Sequence, residues 1–141
     1  AVAAAELGDP DALESVRAGV FAPEEQGELA LLACEALGTL GDQTYAGVLE
    51  ERAFKAASGE IPLEIGLAAA GAVAQLRPEM APVEWIVESG SHEQPLIRQQ
   101  AAAVLGLTAG SEAEVQLLAM LQDSDPLVRA SAAVSVLRRG R

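Results

Sequence analysis

The chain has 141 residues, half of them hydrophobic, a length that suits one domain with a sizeable core built from Ala, Leu, Val and Ile, since aromatics are only 3%. A net charge of −12, with Lys55 the single lysine among eight Arg, argues against a phosphate-binding surface of clustered cations, so nucleic acid is not an expected partner. One cysteine, Cys34, excludes an intrachain disulfide, and the longest apolar run, Ile65 to Ala74, is too short for a membrane span of about 18 residues or more.

In chain order, the sequence opens at Ala1 without Met and in mid-helix, so it reads as a fragment or processed chain without a visible signal peptide. The compartment stays open, with a slight lean to the cytoplasm. Ala3 to Asp9 is the end of a truncated helix closed by Gly8. Asp11–Ala18 is a short amphipathic stretch. After Pro23 an apolar helix runs through Leu29–Gly38 and stops at Gly41, where a left-handed backbone suits glycine. Tyr45–Ala57 is a second short amphipathic stretch, and Pro62–Val73 is the next apolar helix. Pro82–Ser89 places Val83, Ile86 and Val87 on one face. From Pro95, Ile97, Ala101, Val104 and Leu105 share a face at helical spacing. Gly110 stands where a helix should end. Glu112–Gln122 offers Val115, Leu118, Ala119 and Leu121 as its buried face. The last helix starts at Pro126, with Asp125 as N-cap.

The longer helices are copies of one another. Pro95-Leu96-Ile97-Arg98 and Pro126-Leu127-Val128-Arg129 both lead into Ala-rich runs, 31 residues apart at Ile97 and Val128. Pro62-Leu63-Glu64-Ile65 precedes the first by 32, and Leu29 precedes Ile65 by 36. Ala3–Asp9 aligns with Ala36–Asp42 at an offset of 33. Such a period marks a stack of helix pairs in which each unit supplies the neighbour's missing core. The units read as residues 1–8 (partial), 9–42, 43–78, 79–110 and 111–141, about four helix pairs plus a leading helix in a single repeat domain.

The motif Asp123-Ser124-Asp125-Pro126-Leu127-Val128-Arg129 resembles the second helix of a HEAT repeat, closest to the short form named after phycobilisome lyases. Leu37-Gly38-Thr39-Leu40-Gly41-Asp42 looks like that family's inter-repeat turn. The resemblance implies an all-α fold, a right-handed α-α superhelix whose second helices line an inner concave surface. It also implies a structural ladder of Asp and Arg between adjacent units, falling on Arg98, Asp125 and Arg129. Gln94 replaces the ladder Asp of the third unit, and Gly66 and Ala30 replace the Arg of earlier ones.

Residues that could carry chemistry read more simply as structural. His92 is the only histidine and lies in a turn; Glu84, Glu88 and His92 are spaced for one helix face, but Gly90 ends the helix between them. The pairs Glu24-Glu25 and Glu50-Glu51 point about 100° apart on a helix and form no acid/base dyad. Tyr45 and Trp85 suit edge packing on the outer helices. Arg138, Arg139 and Arg141 suit the carboxyl end of the last helix. No Gly-Lys-Ser/Thr phosphate loop occurs. No catalytic residue, metal or cofactor is therefore expected.

With Leu29, Ala33, Ala36 and Leu37 facing the core, the inner surface comprises Glu28, Leu31, Glu35, Glu64, Leu67, Gln99, Ala130 and Val134, acidic at one end. Thirteen of the 21 acids fall within residues 1–70, against only Arg17, Arg52 and Lys55. The expected function is a non-catalytic protein–protein interaction or scaffolding module. Its partner is another protein or peptide, with a basic one suggested by the acids. End-to-end self-association through the truncated helix at Ala1–Leu7 is a further reading. The alternative that the resemblance implies is a subunit of a bilin lyase/isomerase-like enzyme; a HEAT-like DNA glycosylase would need a basic groove instead.

Overall fold

The computed structural model describes residues 9–140, so the expected opening helix ending at Gly8, with its self-association, and Arg141 lie outside the described residues. Among those described, helices and short turns are the only regular elements. The first helix, α1 (Pro10–Gly19), begins where the Asp9 carboxylate accepts from the backbone N–H groups of Asp11 and Ala12 at 3.1 Å. A turn at Glu24–Gln26 leads into α2 (Gly27–Leu40), which stops at Gly41 with φ of 79°, a left-handed conformation that glycine adopts without a Cβ clash. A second turn at Gln43–Tyr45 precedes α3 (Ala46–Ala57), then α4 (Leu63–Leu76).

These four helices belong to a compact unit that ends at Met80. Within it α1 packs on α2, α3 on α4, and α2 on α4, the arrangement of two stacked hairpins. The α4 helix takes neighbours on two sides, and every residue from Ile65 to Ala74 is buried. A helix apolar on all faces is stable only when enclosed in this way. Gly38 of α2 lets the backbones approach: a Cβ there would stand 2.8 Å from Ala72 Cα.

The second compact unit begins at Ala81 and holds α5 (Val83–Ser89), α6 (Pro95–Leu105), α7 (Ser111–Met120) and α8 (Pro126–Arg139). The same scheme recurs: α5 packs on α6, α7 on α8, α6 on α8, and α5 on α7. Pro95 and Pro126 occupy first-turn positions, and the Asp125 side chain caps α8 by accepting from Leu127 and Val128 N–H. Ser131 and Ser135, one turn apart, donate to the Gln99 and Ala102 carbonyls of α6 at 2.9 and 2.7 Å, cross-linking the two longer helices. Gly106 makes room for Ser135, whose Cβ would lie 2.7 Å from a Cβ at that site.

The structure corrects four details of the sequence reading. The buried face of α7 is Ala113, Leu117 and Met120, while Val115 and Leu118 are 66% and 49% exposed. Apolar residues surround this helix on most sides, so periodicity alone did not choose a face. Leu29 is half exposed, because α2 turns Ala30, Ala33, Cys34, Leu37 and Gly38 inward. Gly110 has positive φ, but it starts α7 rather than ending α6, which closes at Gly106. Arg139 does not serve its own helix end: it donates to the carbonyls of Leu105, Thr108 and Gly110 at the exit of α6.

Candidate protein-binding surface

The expected surface residues lie on the longer helices α2, α4, α6 and α8. In the first unit Glu28, Glu35 and Glu64 are exposed and Leu31 is half-buried. Leu67 is not part of any surface; it is fully enclosed because α4 is packed on two sides. Glu28, Leu31 and Glu64 line one groove of about 470 Å³ together with Glu24, Gly27, Pro62 and Ile65. In the second unit Gln99 is half-buried and Ala130 and Val134 are exposed. These three line a smaller depression of about 300 Å³ with Ala103, Leu127 and Arg138, among others. The second-unit depression holds no carboxylate, whereas the first-unit groove carries three.

The Arg residues form polar staples at the turns. Arg98 Nε and Nη2 donate to both oxygens of Asp123 at 2.8 and 3.0 Å, a bidentate pair. Its Nη1 donates to the carbonyls of His92 and Glu93. Arg129, 31 residues later, repeats the second contact set at the carbonyls of Asp123 and Ser124. The acid facing Arg98 is therefore Asp123, and Asp125, the residue expected in the ladder, is occupied as a helix cap. The Arg98 guanidinium holds the Asp123 carboxyl below the usual carboxylate range, against the burial that would raise it.

His92 stands 31 residues before Asp123 and performs a matching turn role. Its Nδ1 accepts from the Gln94 N–H at 3.0 Å, as the Asp123 carboxylate accepts from the Asp125 N–H at 2.9 Å. Both are side-chain acceptors three residues ahead of a longer helix, each closing a turn with the N–H two residues on.

A second Arg–Asp pair joins α1 to the turn after α2. Asp42, 2% exposed, accepts two bonds from Arg17 at 2.8 Å, and Arg17 also donates to Thr44 Oγ1. The Arg17 guanidinium lies 5.1 Å from the Tyr45 ring centroid, so Tyr45 packs beneath a cation rather than offering an open stacking face. Arg17 keeps the Asp42 carboxyl below its ordinary value despite burial. No local motif joins residues 25 apart on a helix and a turn, which is why the pair was invisible to spacing arguments.

Cys34 is fully buried in α2, and desolvation pushes its thiol up to about 12, far from a reactive thiolate. Among the described residues no three His, Cys, Asp or Glu side chains converge to hold a metal ion. No helix among them is long and apolar enough to cross a membrane.

Against this geometry of stacked helix hairpins, residues 62–138 match the family model for HEAT repeats. The chain belongs to the HEAT-repeat family. The matched HEAT segment covers α4 to α8 almost completely, more than half of the sequence. No curated protein matches the chain. HEAT membership fixes the helical-repeat fold class. The family's general use of stacked helices is to bind other proteins, coarser than any named partner.

Proposed function

We propose that this HEAT-repeat chain is a protein–protein interaction or scaffolding module with no chemistry of its own. The observation that carries the reading is the set of large apolar side chains left open on well-formed helices. Leu96 is 74% exposed, Leu127 59% and Leu137 72%, although each sits on a helix whose other face is fully buried. Leu127 and Val134, 55% exposed, line one depression together, and apolar side chains grouped in this way mark binding surfaces more often than scattered ones do. The two carboxyl groups with shifted acidity, Asp42 and Asp123, are both engaged by Arg side chains.

The experiment is affinity capture with the whole chain from a lysate of the source organism, followed by cross-linking and mass spectrometry. Support is a protein partner that survives moderate salt and cross-links to the inner helices α2, α4, α6 or α8. Failure to capture any protein across several salt conditions, together with turnover of a small molecule, overturns the reading.

A further inference from the structure

The second residue of each longer helix is exposed: Glu28 and Glu64 in the first unit, Leu96 and Leu127 in the second. A helix N-terminus favours an acid at this place in every copy. The dipole therefore does not explain why the first unit carries Glu and the second carries Leu. What distinguishes the first unit is the groove of about 470 Å³ between the starts of α2 and α4. Leu31, Pro62 and Ile65, none of them exposed, give it an apolar floor, and the exposed Glu24, Glu28 and Glu64 form its rim. The carboxylates do not converge on a point, since no three such groups among the described residues could hold a metal ion. A spread anionic rim around an apolar floor fits an elongated ligand bearing both cationic and apolar groups.

We propose that this groove takes a segment of another protein in which Arg or Lys is interleaved with Leu-like residues. The apolar side chains would cover Leu31, Pro62 and Ile65, removing their surface from water. The cations would reach the rim, where Arg pairs with carboxylates in bidentate geometry. The inference rests on the interaction-module reading and adds the chemistry of the partner.

The test is fluorescence anisotropy with the whole chain and a labelled synthetic peptide alternating Arg and Leu, beside a counterpart with Glu in place of Arg. The Arg-Leu peptide is expected to bind and to weaken as salt rises from about 50 to about 200 mM, as partly exposed pairs do. The double variant Glu28→Gln/Glu64→Gln, which keeps side-chain shape, is expected to lose about five- to tenfold in affinity. The control Glu112→Gln/Glu114→Gln removes the same charge from α7 and is expected to leave binding within about twofold. Equal loss in both double variants means that bulk charge, not the groove, draws the peptide, and overturns the proposal. So does equal binding of the Glu peptide, or none of the Arg-Leu peptide. A dimer in sedimentation that Glu28→Gln/Glu64→Gln dissolves would give the groove to a second copy and overturn it too. If capture from lysate still yields partners cross-linked elsewhere on the inner helices, the groove falls and the module reading stands.

Discussion

Gly38 is a point of close approach between α2 and α4, and replacing it sets two effects against each other. A Cβ at this position would lie 2.8 Å from Ala72 Cα, 3.0 Å from Ala72 Cβ and 2.5 Å from Gln75 Oε1. The Gln75 side chain is exposed and can swing away, but the Ala72 backbone is fixed inside a helix packed on two sides. Carbon atoms in contact prefer about 3.5–4.0 Å, so the helices must separate by a substantial fraction of an ångström. Such overpacking costs about 1–3 kcal/mol. Removing a mid-helix glycine returns about 1 kcal/mol through helix propensity when Ala is the replacement, and less for Val. Gly38→Ala should therefore be destabilising by about 0–2 kcal/mol, and Gly38→Val by about 2–3 kcal/mol. Gly47 in α3 provides the opposite sign, because a Cβ there would meet nothing within 4 Å and only the propensity gain remains. Gly47→Ala should stabilise by roughly 0.5 kcal/mol or more. Thermal unfolding followed by circular dichroism reads both, at about 2–8 °C per kcal/mol. A Gly38→Val melting temperature equal to the parent's, or a Gly38→Ala shift matching that of Gly47→Ala, would refute the close crossing of α2 and α4.

Val128 is fully enclosed in α8, so Val128→Asp buries an unpaired charge and should cost about 3 kcal/mol or more by urea unfolding; a neutral result would mean that α8 turns another face inward. Asp42 and Asp123 both titrate below the ordinary carboxylate value in the folded chain. Their contribution is then present above the unfolded pKa of about 3.9 and is lost as pH falls through the lower folded values. Stability should hold from neutral pH to about 4 and fall below it, and Asp42→Asn should flatten that acid limb; an unchanged limb would contradict the buried Arg17 pair. Cys34, with its thiol pushed up to about 12 by burial, should resist iodoacetamide in the native chain and react once urea unfolds it. Rapid native labelling would place Cys34 at the surface.

The repeats were legible because the inner helices share a written signature. Proline at the start, a β-branched residue two places on, Arg next and an Ala-rich run recur at Pro95 and Pro126, and this pattern survives without tertiary information. Faces were legible only where one side is polar: Ile97, Ala101, Val104 and Leu105 are all buried. In α7 the pattern Val115, Leu117, Leu118, Ala119, Met120 encircles the helix, and packing against α5 and α8 chose Leu117 and Met120. Leu67 looked like a surface position from its register alone, yet α4 packs on both α2 and α3, and every residue from Ile65 to Ala74 is buried. The staples show a second limit. Arg98 and Arg129 stand out as repeated residues, but the choice of Asp123 over Asp125 depends on which carboxylate is already engaged by the helix start. The first-unit groove was partly visible, since Glu28, Leu31 and Glu64 were on the expected strip. Its apolar floor at Pro62 and Ile65 needed two helix starts side by side, which one-dimensional spacing does not give.

The most direct test of the interaction-module account is hydrogen–deuterium exchange of the whole chain with and without a captured partner. The account predicts added protection on α2, α4, α6 or α8, around Glu28 and Leu31 in one unit or Leu127 and Val134 in the other. Protection confined to the outer helices α1, α3, α5 and α7, or no change in any helix with a partner bound, would contradict it.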